Sequence, residues 1–229
     1  MELSKKTIEK DFIFEKMAVL TVRLNYPAAV GLSVSARRIS RFYERFAARM
    51  LRYAKATLYP EAKRRLKALN QGKPFAPFAF TMDYTVARND GEFVSLYCDI
   101  VTRFGLGAST ERYADTFSAQ SGFLLKLSEL FPAKTHYRKL ILQALLQQAA
   151  GRQEAGELYL DHPKRRLKRH FSEEQFYLTD QGLAVFYQLY TVAPLSRGIP
   201  VFQLNSLPLV SRSPALRKTG ERENPAPVA

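Results

Sequence analysis

The chain has 229 residues, 46% hydrophobic and 12% aromatic, enough for a sizeable core, so disorder throughout is excluded. Thirty-five Lys and Arg against 21 Asp and Glu leave a formal charge of +14, so anionic surfaces attract the protein and salt weakens that attraction. A single cysteine, Cys98, excludes an intramolecular disulfide and a cysteine-held zinc site.

The N-terminus is charged at Glu2, Lys5, Lys6, Glu9, Lys10 and Asp11, and no apolar run approaches the roughly 20 residues of a membrane span. As written, the chain carries no signal peptide or transmembrane segment, which predicts a cytoplasmic location. An extracellular or cell-surface location is the alternative if the sequence is part of a longer exported chain.

Phe12 to Tyr26 reads as an opening strand that ends at Pro27. Ile39, Phe42, Tyr43, Phe46, Met50 and Tyr53 then recur three or four apart, which predicts a helix from about Ser35 to Leu58. Pro60 interrupts it, and Glu61 to Leu69 predicts a second helix before the Asn70–Pro74 loop. Phe80, Met82, Tyr84 and Val86 alternate with polar residues, and after Asn89-Asp90-Gly91 so do Val94, Leu96, Cys98 and Ile100, which predicts a hairpin. Cys98 reads as a buried small hydrophobe.

Further strands are expected at Glu111 to Ala119 and Leu124 to Phe131, then a helix from Thr135 to Ala150 ending near Gly151. A hairpin turning at Asp180-Gln181-Gly182 and a final strand, Ile199 to Leu204, follow. The fold class is α+β, with antiparallel sheet packed against one long and one or two shorter helices. Three units are expected: 10–118 as an N-terminal α/β module, 119–209 as a C-terminal domain, and 210–229 as a disordered tail with no apolar period.

The segment Phe176 to Tyr190, with Val192-Ala193-Pro194 and Gly198-Ile199-Pro200, resembles the closing motif of RsiV-like domains, as do Gly122, Leu127, Ser128, Leu130 and Phe131 further upstream. Residues 12 to 105 resemble the α/β module that commonly precedes that domain. The resemblance assigns structural motif roles to Gly182, Tyr190, Ala193, Pro194 and Gly198, and implies a sensing or binding part at the envelope of a Gram-positive bacterium. Two departures stand out. Gly105-Leu106-Gly107-Ala108-Ser109 lacks the family's usual His, and the sequence as written shows no anti-sigma module or membrane span ahead of the domain. Family members include the lysozyme-recognising part of an anti-sigma factor, but a +14 chain without an acidic run repels basic lysozyme, which argues against direct lysozyme binding here.

His136, His162 and His170 show no metal-ligand spacing, and no phosphate loop or nucleophile elbow is present, so catalytic residues, metals and cofactors are all expected to be none. Two basic features are candidate anion sites. Arg38, Arg41, Arg45, Arg49 and Arg52 fall within about 80° of one another around the long helix. Lys164, Arg165, Arg166, Lys168 and Arg169 form an acid-free run. For both, a solvated surface is the preferred reading and anion binding the alternative. The leading expectation is a non-catalytic module that binds an unidentified protein or envelope ligand; the alternative is a binder of nucleic acid or another anionic polymer through the two basic features.

Overall fold

The computed structural model describes residues 1–69, 75–105 and 107–210. The chain opens with a tight hairpin, β1 (Leu3–Phe14) and β2 (Met17–Ala29), where one strand was expected. Its two-residue turn has Glu15 at φ 50 and Lys16 at φ 65, a left-handed pair usually built from Asn and Gly. β1 lies at the sheet edge with its charged side chains outward, and only Phe12 is fully buried, so it lacks an apolar face to read.

Ser33 caps α1 (Val34–Tyr53), its side chain accepting from the Ala36 N–H at 3.1 Å. The 3.6-residue period puts Ile39, Tyr43, Phe46 and Ala47 in the core, with Phe42 and Met50 half-buried beside them. Pro60 does not break the helix. Its missing N–H and its clash with the preceding turn are absorbed by a π-helical turn, Ala54–Leu58, after which α2 (Tyr59–Ala68) continues.

The helices return the chain so that β3 (Phe78–Asn89) pairs parallel with β2, which makes the sheet mixed rather than wholly antiparallel. β4 (Phe93–Phe104) and β5 (Gly107–Ser118) follow as antiparallel neighbours, giving the order β1-β2-β3-β4-β5. Met82 faces Ile100 and Tyr84 faces Cys98, as the alternation predicts, and Cys98 is 1% exposed with burial pushing its thiol pKa up.

The strand expected at Leu124 to Phe131 is instead a lone Phe117–Leu124 bridge and a 3-10 turn, Leu127–Leu130, because the Glu129 carboxylate accepts from the Lys126 N–H and winds the segment. α3 (Tyr137–Glu154) runs past Gly151, and the basic run is itself a helix, α4 (Pro163–His170). β6 (Phe176–Thr179), β7 (Gly182–Phe186) and β8 (Val201–Leu204) form a second antiparallel sheet. Of the tail expected at 210–229, Val210 is instead tied to the fold, donating to the Leu130 carbonyl at 2.9 Å; residues from Ser211 on, and Asn70–Pro74, lie outside the described residues.

Period-two alternation stacks these elements. Phe80, Met82, Leu96 and Cys98 face α1, while Tyr97 and Ala114 face the small sheet through Tyr177, Ala184 and Phe186. The opposite face of the small sheet, with Phe176, Leu178, Leu183 and Val185, packs with Ile141 and Leu145 of α3 and Leu167 of α4. A polar tie joins the sheets: Ser95 and Thr116 hydroxyls lie 2.7 Å apart, and the Leu178 N–H donates to Ser95 Oγ at 2.8 Å.

A candidate ligand-binding cleft along a free strand edge

β5 is the terminal strand of the large sheet. Every residue from Ala108 to Thr116 lines one cleft of about 990 Å3. Because successive side chains point to opposite faces, unbroken lining by nine consecutive residues means that the cleft runs along the strand's edge and not over a face. Phe42, Phe46 and Arg49 of α1 form one wall, and Phe176, Gln188 and Tyr190 belong to the wall on the side of the small sheet.

The backbone bonds of β5 tell which of its groups point into the cleft. Gln188 spends its side-chain amide on Arg112: Oε1 accepts from the Arg112 N–H at 3.0 Å and Nε2 donates to the Arg112 carbonyl at 2.7 Å. At the far end, Leu125 N–H donates to the Thr116 carbonyl at 2.8 Å. Arg112 and Thr116 thus present their peptide groups outward, and Ala108, Thr110 and Ala114 share that parity. The outward groups of these three have no hydrogen-bond partner among the described residues.

Four large apolar side chains stand exposed on this cleft: Tyr113, Leu124, Tyr190 and Leu195. Clustering of exposed apolar groups in one concavity marks a contact surface more than a chance exposure. Tyr190 is the sharpest case. It is 59% exposed, and its φ of 60 puts a bulky residue in the left-handed region.

Asp115 extends from β5 toward α1, where the Tyr43 hydroxyl donates to it at 2.9 Å. Burial pushes its carboxyl up to about 6, against the Tyr43 hydrogen bond and the Arg49 charge, which favour the ionised form. Glu173 belongs to the cleft as well but is committed to Arg138 and Tyr137; the Arg138 hydrogen bond holds its carboxyl below the usual range. Gln175, also on the wall, has a buried Oε1 without a partner among the described residues.

The arginines of α1 are all exposed, but their surroundings differ. Arg38 donates to the Ser121 carbonyl at 2.8 Å and covers the Phe123 ring, so it clamps a loop. Arg49 lies over Phe46 at the cleft wall, and Arg41, Arg45 and Arg52 make no ion pair among the described residues. On α4, Lys164, Arg165, Lys168 and Arg169 line one shallow hollow, whereas Arg166 turns inward to the Asp161 and Thr191 carbonyls.

The motif residues are split in the same way. Gly182 opens β7 at φ 129, Ala193 is buried, Pro194 precedes a 3-10 turn that Gly198 ends at φ 67, and Tyr190 alone projects into the cleft. Sequence reading missed the cleft because its walls come from separated segments of ordinary residue types. Tyr190, already singled out by the closing motif, lies on the cleft, and so do Phe176 and Gln188 of the same segment, but nothing in the sequence places them beside β5.

Residues 128–205 match the family described as "Protein of unknown function (DUF3298)". That stretch contains the Gln188 and Tyr190 wall but not β5. Two solved structures are similar over most of the chain. A DUF3298 family member from Bacteroides fragilis is 11% identical with a TM-score of 0.62, covering 89% of each chain. A DUF3298 family protein from Pseudomonas aeruginosa is 13% identical with a TM-score of 0.55, covering 89% of this chain and 90% of the other. At these identities the likeness is one of fold. No curated protein matches the chain. Among the described residues no helix is long and apolar enough to cross a membrane.

Proposed function

We propose that the chain is a non-catalytic binding module whose ligand occupies the cleft along β5. Tyr190 carries this reading. A tyrosine at φ 60 costs on the order of 1 kcal/mol, and with 59% of its surface exposed the ring recovers little of that through packing. Such strain persists where a side chain is held for contact. Recognition suits the remaining wall chemistry too: open peptide groups, exposed apolar side chains, and carboxylates bonded to tyrosines.

The test is site-specific photo-crosslinking in cells of the native host. A benzophenone side chain at position 190 or 124 should capture one discrete partner, while the same group at the equally exposed Ile13, at the far β1–β2 turn, should not. Equal capture from all three positions would remove the cleft reading. An RsiV-like sensing role at a Gram-positive envelope is supported only by the closing-motif resemblance, and the cleft reading is independent of it. Anionic-polymer binding at α4 is the second reading, carried by four cations around one hollow.

A further inference from the structure

We infer that the cleft takes its ligand as an extended peptide of a partner protein, which adds to β5 as a sixth strand and brings a basic side chain beside Glu111. This rests on the cleft being the ligand site and names the class of ligand. Three observations carry it.

The outward peptide groups of Ala108 and Thr110 lie on the cleft without partners among the described residues, and an added strand supplies the matching donors and acceptors. The geometry for an added amide is already demonstrated one step along: the Gln188 side chain makes with Arg112 the donor and acceptor pair that a strand residue would make, at 3.0 and 2.7 Å. The third observation is charge. In a +14 chain, the cleft gathers Glu111, Asp115 and Glu174, none in an ion pair among the described residues, against two unpaired cations, Arg49 and Lys126. A neighbouring strand puts one side chain directly alongside Glu111, and opposite charge is favoured there.

A phage-displayed random dodecapeptide library panned against the full chain tests this. Selected peptides should carry a Lys or Arg within alternating β-branched or aromatic residues. N-methylation of alternate peptide amides, which removes strand hydrogen bonds but keeps the side chains, should weaken binding at least tenfold. Thr110→Pro should do the same while keeping the melting temperature, because the N–H it removes points to the cleft and not into the β4–β5 ladder. Glu111→Gln should abolish the preference for a basic residue.

Peptides that lose binding in Leu124→Ser yet tolerate N-methylation and Thr110→Pro would overturn strand addition and leave the cleft as a ligand site. No enrichment at all, or a light-scattering mass showing dimers that dissociate in Thr110→Pro, would also overturn it, the latter because a second copy would then be the occupant. If crosslinking at position 190 fails as well, the cleft reading falls with it.

Discussion

The side-chain amide of Gln188 hydrogen-bonds both backbone groups of Arg112, closing one step midway along the edge of β5 from 76 residues away. Removing it in Gln188→Ala leaves two partly buried peptide groups without their partner, so the chain should lose about 1–2 kcal/mol in urea unfolding. Hydrogen exchange at the Arg112 amide should accelerate, while amides bonded to β4 stay protected. Unchanged exchange at Arg112 would show that the amide pairing is not maintained in solution.

Asp115 gives a pH signature with a definite sign. Its carboxyl is raised in the folded state to about 6, so the fold favours the protonated form, and this group's contribution declines as pH rises from about 4 to 6. Asp115→Asn should therefore gain about 1–2 kcal/mol relative to the parent at pH 7.5 compared with pH 4.5. Asp90 and Glu173 have lowered pKa values and act in the opposite direction, so the test is the difference between variant and parent at the two pH values. A difference independent of pH would contradict the raised carboxyl.

Gly122 ties the end of the large sheet to the start of α1. A Cβ there would lie 2.6 Å from Ser35 Cα and carbonyl oxygen, and φ is +69, so both space and conformation exclude a side chain. Gly122→Ala should cost roughly 2–4 kcal/mol, read from the unfolding midpoint. A loss below about 1 kcal/mol would mean that the Gly122 loop moves freely from the helix.

The basic helix separates by role. Replacing Lys164, Arg165, Lys168 and Arg169 together by Ala should lower affinity for single-stranded DNA and flatten its salt dependence by about 0.7 for each phosphate that is no longer neutralised, with the melting temperature preserved. Arg166→Ala should do the reverse, lowering stability through its two carbonyl bonds while leaving the salt slope nearly unchanged. An unchanged slope in the fourfold variant would reduce the hollow to a solvated face.

Legibility in the sequence followed the strength of the periodic signal. α1 and the β3–β4 hairpin were readable because each has a full buried face, from Ile39 to Met50 and from Phe80 to Ile100. β1 was missed because an edge strand can be charged on its exposed positions, and its turn uses Glu15 and Lys16 in place of Asn and Gly. α4 was hidden for a similar reason, since Leu167 is its only buried residue. The cleft was invisible because it is a property of sheet order: nothing near Thr110 announces that β5 ends the sheet, and Gln188 looks like any polar residue until it lies against Arg112.

Urea unfolding of Tyr190→Asn tests the central claim without knowledge of the ligand. Asn accepts the left-handed backbone more readily than Tyr and lacks the exposed ring. If the ring is kept for ligand contact and the strain is the cost of holding it there, the variant should match the parent or exceed it by up to about 1 kcal/mol. A loss of more than about 1.5 kcal/mol would show that the fold needs the Tyr190 ring, and the cleft would lose the observation on which its reading stands.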